Sequence, residues 1–195
     1  PAMTPWRRLY NILGGSAGNF VEWFDWFVYG AFVIYFSAAF FPADDPVIQQ
    51  MNAWFVFAGG FLARPVGAFL MGKYADIKGR RAALSLSVLM MCGGSLLIAL
   101  TPSYAWFEEN TGVGFLAALA LIIARLLQGL SVGGEYGASA TYVSEMAGKG
   151  NRGFWSGFLY VTLIGGQLAA VLLLRLLLEF LGAAQLTDWA WRIPF

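Results

Sequence analysis

The 195-residue chain has no histidine and a single cysteine, Cys92. These absences exclude Ser-His and Cys-His catalytic pairs, histidine or multi-cysteine zinc sites, and any disulfide within the chain. Charge is scarce as well. Asp, Glu, Lys and Arg make up 12% of the residues, where a soluble domain carries about 25%. No cofactor, metal or enzymatic activity is expected. A net charge of +1 offers no ground for a nucleic-acid partner, and none is expected.

Apolar residues, aromatics and glycine are abundant: the chain is 59% hydrophobic, with 17 Phe, 8 Trp, 8 Tyr and 24 Gly. A membrane span needs about 20 mainly apolar residues. Five stretches qualify, at about 11–41, 51–74, 82–101, 113–139 and 154–181. A sixth begins near Trp189. The segments between them hold the turn and charge signals, such as Pro42 to Pro46, Gly72 to Arg81 and Thr101 to Gly112. The expected fold is an all-α membrane bundle in a lipid bilayer, formed by residues 1–195 as one unit.

Orientation follows from the loop cations. Arg7, Arg8, Lys73, Lys78, Arg80, Arg81, Lys149 and Arg152 all fall on one side. The opposite loops carry Asp44, Asp45, Glu108 and Glu109 instead. This distribution predicts a cytoplasmic N-terminus. Five spans from that start leave the C-terminus outside, so the chain is expected to be part of a longer one.

Several charges fall at membrane depth, where each costs about 2.5–3.5 kcal/mol unless it faces a partner or a wet cavity. Glu22 and Asp25 lie three apart on the first span and so share a face, which Asn19 and Tyr29 extend. Two carboxylates so close point to a proton relay or a cation site; the alternative is a structural pair neutralised by arginines. Arg64, followed by Pro65, lies mid-way along the second span. It suits bidentate carboxylate binding, or an ion pair with Glu22 or Asp25. Arg125, Gln128 and Glu135 occupy the fourth span, where Gly129, Gly133 and Gly134 favour close helix packing. Tyr160, Thr162 and Gln167 on the fifth span read as packing hydrogen bonds or ligand contacts. Arg192 is placed to face the cavity or to bind headgroups.

Two motifs carry a resemblance. Gly72-Lys-Tyr-Ala-Asp76-Ile-Lys-Gly79-Arg80-Arg81 and Arg125-Leu-Leu-Gln128-Gly129 resemble the second-loop and fourth-helix motifs of the major facilitator superfamily. Gly18-Asn-Phe-Val-Glu-Trp-Phe-Asp25, Phe61 to Gly67, Arg125 to Ser144 and Trp191-Arg-Ile-Pro-Phe195 resemble the metabolite:proton symporters within it.

The resemblance implies the N-terminal half of that fold, with five transmembrane helices and the start of a sixth. It implies a multi-pass transporter of a bacterial inner membrane, driving a small dicarboxylate such as α-ketoglutarate with protons by alternating access. Citrate, shikimate, proline and betaine stay open as substrates, as does a half-length module acting only with a partner. A missing C-terminal half or a partner chain would complete the cavity. On this reading Arg64, Arg192, Tyr160 and Gln167 meet the substrate. Glu22, Asp25, Arg125 and Glu135 couple the proton. Gly72, Asp76, Gly79, Arg80, Arg81, Glu145 and Arg152 form a cytoplasmic gate.

Overall fold

The computed structural model describes residues 5–146 and 152–195. The side chains of 5–15, 80–81, 134–146, 152–156 and 158–159 lie outside the described residues. The chain forms long helices: α1 (Pro5–Phe40), α2 (Pro46–Lys78), α3 (Arg80–Leu100), α5 (Leu116–Met146) and α6 (Arg152–Phe180). Short α4 (Tyr104–Thr111) and α7 (Gly182–Asp188) sit in two of the connections, and a 3-10 turn covers Ala190–Arg192. Among the described residues, five helices contain stretches long and apolar enough to cross a membrane: Ser16–Phe40, Pro46–Lys78, Ala82–Leu100, Leu116–Gly133 and Tyr160–Phe180.

Helix boundaries follow local chemistry. The Asp45 carboxylate accepts from the Val47 N–H, and Pro46 supplies a preset first turn for α2. Pro65 is accommodated inside that helix. At Gly79 the backbone adopts φ 90° and ψ 153°, so α2 ends and α3 starts across one residue. Only glycine takes that conformation at low cost. Residues 101–112 read as a plain turn segment in the sequence, yet they hold the short α4. For α4 the reason is capping: Ser103 accepts from the Trp106 N–H, and Gly112 closes the helix in the left-handed region. An eight-residue helix shows too few turns for an apolar period to register.

Glycine sets the closest helix crossings. A Cβ on Gly67 would fall within 3.0 Å of the Leu130 backbone. Likewise, one on Gly129 would strike the Gly60 carbonyl, and one on Gly133 the Arg64 carbonyl. Thus α2 and α5 cross backbone to backbone, as small residues allow in membranes. Gly166 gives α6 the same access to α1 at Phe24, and Gly94 brings α3 against Gln128 of α5. Ser87 and Ser131 lock α3 to α5 reciprocally, each hydroxyl donating to the other's carbonyl, at 2.8 and 2.7 Å.

These contacts place α1 centrally. Half of its apolar window is buried, against 11% of that of α6. An aromatic column of Tyr29, Phe32, Phe36 and Phe40 runs along it, capped by the fully buried Trp191.

Candidate functional site

The polar stripe expected on α1 is real and buried. Asn19, Glu22, Asp25 and Tyr29 are all at most 4% exposed. Asn19 donates to Thr162 of α6 at 2.6 Å, and Tyr29 donates to the Ala53 carbonyl of α2 at 2.7 Å.

Asp25 belongs to a closed ring of hydrogen bonds. Arg125 Nη1 donates to Asp25 Oδ2 at 2.9 Å and to Gln128 Oε1 at 2.7 Å. Gln128 Nε2 donates to Ser95 Oγ at 2.9 Å, and Ser95 Oγ donates back to Asp25 Oδ1. The ring joins α1, α3 and α5. Both carboxylate oxygens of Asp25 accept from it. A cavity of about 370 Å³ between α1 and α3 borders the ring at Asp25 and Ser95, with Phe24 and Phe195 among its apolar walls.

Arg64 is half-buried, and its Nε and Nη2 have no hydrogen-bond partner among the described residues. Aromatic faces hold the guanidinium. Its central carbon lies 4.2 Å from the Phe61 ring centroid, 4.5 Å from Trp26 and 6.0 Å from Trp23. Arg125 lies 5.3 Å from that same Trp26 ring and 3.9 Å from Tyr29. Trp26 therefore touches both arginines. Stacking immobilises a guanidinium while leaving its donor edge free for a planar anion such as carboxylate.

The sequence of residues 12–195 matches the family described as sugar (and other) transporter. The chain belongs to that family. Within the transporter family it is 50% identical, over 97% of its length, to the "Alpha-ketoglutarate permease" of Escherichia coli strain K12. It is 39% identical over 94% to the "Citrate-proton symporter" of Salmonella typhi, and 35% identical over 94% to the "Proline/betaine transporter" of E. coli K12. The chain spans 42%, 41% and 36% of those relatives. No solved structure matches it. The chain is thus all-α, an N-terminal part of the major facilitator fold with five helices long and apolar enough to cross a membrane among the described residues, and its matched relatives are transporters and not enzymes.

Not all the residues singled out in the sequence converge in the structure. Glu22, Asp25, Arg64 and Arg125 come together around Trp26. Arg192 does not join them: its Nη2 donates to the Thr101 carbonyl at 3.2 Å, and its guanidinium lies 4.2 Å from the Trp191 ring. Burial lowers its pKa, and Asp188 opposes that. Trp191 in turn packs on Phe36 and Phe40, ten and fourteen residues beyond Trp26. At 1.5 Å per helical residue, that sets Arg192 roughly 15–20 Å along α1 from the Arg64 level. Tyr160 and Gln167 are exposed on α6. Gly72 and Asp76 are exposed on α2, and Gly79 forms the α2–α3 turn. The side chains of Arg80, Arg81, Glu135, Glu145 and Arg152 lie outside the described residues.

Two participants, Ser95 and Trp26, were missed in the sequence. Trp26 is legible in retrospect, four residues after Glu22 and so on the same helix face. Ser95 follows two glycines in an apolar run and carries no such signal.

Proposed function

We propose that this chain is the N-terminal part of a proton-coupled symporter of small organic acids, with α-ketoglutarate the first candidate. The observation that carries the reading is Arg64: a membrane-embedded guanidinium, held by aromatic faces, with donors unclaimed among the described residues. A neutral or cationic cargo would not use such a group, whereas a carboxylate matches its fork. The half-identical permease relative supports α-ketoglutarate, and the citrate–proton relative supports both the proton and the acid class.

In this mechanism Arg64 takes one carboxylate from the substrate at mid-membrane. The buried acids Glu22 and Asp25, with Arg125 and Glu135, carry the proton exchange. Arg192 meets the substrate nearer the outer mouth, at a separate step, because 15–20 Å is too far for one small diacid to bridge. Tyr160 and Gln167 are candidate wall contacts on the exposed face of α6. Asp76, Arg80, Arg81, Glu145 and Arg152, with Gly72 and Gly79 in the same loop region, form the cytoplasmic gate. The N-terminus faces the cytoplasm of a bacterium, and a C-terminal half or partner chain completes the cavity.

The test is uptake of labelled α-ketoglutarate by the intact protein in vesicles, with and without an inward proton gradient. Gradient-dependent uptake competed by unlabelled α-ketoglutarate, and not by betaine, is expected. Gradient-dependent uptake of citrate alone would keep the mechanism and change the cargo. Uptake of no organic acid would overturn the reading.

A further inference from the structure

Two kinds of donor without an acceptor lie side by side at the α1–α2 contact. The first is the Arg64 edge formed by Nε and Nη2, the pair of nitrogens that takes a carboxylate with two parallel bonds. The second is the indole Nε1 of Trp26, on a side chain only 3% exposed. Neither has a hydrogen-bond partner among the described residues. The Arg64 guanidinium lies 4.5 Å from the centroid of the same Trp26 ring, so both donors can serve one bound group. Arg125 touches that ring too, but its Nη1 is committed to Asp25 and Gln128.

Packing accounts for the Trp26 ring and not for its N–H. The ring meets Phe57 edge-on at 4.9 Å and Phe61 at 4.7 Å. Its far end is lodged against α2, where a Cβ on Gly60 would lie 3.1 Å from Cη2. These contacts involve the face and the benzo edge, and they fix where the N–H stands relative to Arg64. A donor held in place before the ligand arrives costs little further ordering on binding. Buried polar groups are normally partnered, so one that is not asks for an explanation. Trp23 carries an unpartnered Nε1 as well, but its ring is 6.0 Å from Arg64 and only half-buried.

We propose that Trp26 is a specificity-determining residue: its indole N–H donates to the oxo oxygen of a 2-oxo acid whose adjacent carboxylate occupies the Arg64 fork. This rests on the organic-acid reading above and narrows its substrate class. In a 2-oxo acid the oxo oxygen stands one carbon from the carboxylate. A single donor beside the fork therefore meets it while the fork takes both carboxylate oxygens. An indole N–H donates and never accepts. It pairs with an oxo oxygen, finds nothing on a plain methylene, and opposes an ammonium, which carries donors only. A site built to hydrogen-bond one substrate group discriminates against the analogue that lacks it, because its own buried donor is then left unpaired. Arg64 thus selects for an acid, and Trp26 for the oxo group beside it.

The test compares α-ketoglutarate with glutarate, the same diacid without the oxo group, by titration calorimetry on the intact protein in lipid nanodiscs. Wild type is expected to bind α-ketoglutarate about tenfold more tightly, the worth of one buried hydrogen bond. Trp26→Phe keeps an aromatic face for Arg64 and lacks the N–H. It is expected to lose that tenfold on α-ketoglutarate and to bind the two acids alike. The ratio is the readout, because looser packing around Arg64 weakens both acids equally. A ratio that survives Trp26→Phe would overturn the assignment, and so would a wild type without preference. If Trp26→Phe does not fold, the indole N–H magnetic resonances of Trp23→Phe decide. One of them shifting with α-ketoglutarate and not with glutarate supports the proposal, and none shifting overturns it. Binding of citrate and of neither diacid overturns the Trp26 assignment and leaves the symport reading standing. Binding of none of the three removes both.

Discussion

Asp25 and Arg125, a hundred residues apart, meet at 2.9 Å with their side chains 5% and 0% exposed. The pair joins α1 to α5 at the centre of the bundle, and Ser95 and Gln128 close the ring through α3. Removing one member leaves the other as an uncompensated charge, which costs more than removing both. Arg125→Met and Asp25→Asn are each expected to destabilise the protein by about 3 kcal/mol, and the double variant by clearly less than their sum. Denaturation in mixed micelles gives the three values. Additive losses would mean that the pair contributes no coupling.

Packing at the glycine crossings makes a second expectation, with its control built in. Gly129→Ala and Gly133→Ala put a methyl group against backbone that cannot give way. Overpacking of this kind costs about 1–3 kcal/mol. At Gly59 and Gly93 nothing lies within 4 Å of a Cβ, so alanine there is expected to be neutral or slightly stabilising through helix propensity. Melting temperatures of the four purified variants check this. Equal losses at all four positions would refute the close α2–α5 crossing.

The spans, their charges and the shared face of Glu22 and Asp25 were legible because each follows from composition or from helical period. The pairing was not. Period says that Glu22 and Asp25 face one way; it does not say that α5 presents Arg125 to one and α2 presents Arg64 near the other. That depends on which helices touch, and the crossings are set by single glycines such as Gly60, Gly129 and Gly166 among twenty-four. Ser95 was illegible for a related reason: one hydroxyl in an apolar run gains meaning only when an acid from another helix lies opposite. The surroundings of the two candidate arginines were illegible for the same reason: Arg64 lies against Trp26 and Phe61, and Arg192 against Trp191 and the Thr101 carbonyl.

Arg64→Lys keeps the charge and removes the planar fork. If the aromatic faces of Trp26 and Phe61 serve to present that fork, lysine fails despite its charge. Uptake of α-ketoglutarate at low concentration is expected to fall at least tenfold, the loss of one charged hydrogen bond of about 1.5–3 kcal/mol. Expression and melting temperature are expected to stay near wild type, since Arg64 makes no ion pair within 4.0 Å among the described residues. Undiminished uptake in Arg64→Lys would show that only charge matters at this position.

Arg192 tests what the end of the described chain does. Its Nη2 caps the Thr101 carbonyl just past α3, and its guanidinium stacks on Trp191, so one side chain ties the 3-10 turn to the α3 terminus. Because the group is half-exposed, the bond is worth about 1 kcal/mol, the value of a neutral pair and below the roughly 1.5–3 kcal/mol of a buried charged donor. That corresponds to about fivefold faster opening of the segment it holds. Arg192→Gln is therefore expected to accelerate amide exchange about fivefold across residues 182–195, and Arg192→Lys to recover part of the protection. Exchange in the glycine-crossed centre of α2 and α5 is expected to stay unchanged, because no contact of Arg192 reaches it among the described residues. Unaltered exchange at residues 182–195 in Arg192→Gln would mean that Trp191, buried among Phe36, Phe40 and Phe195, anchors the segment without the arginine.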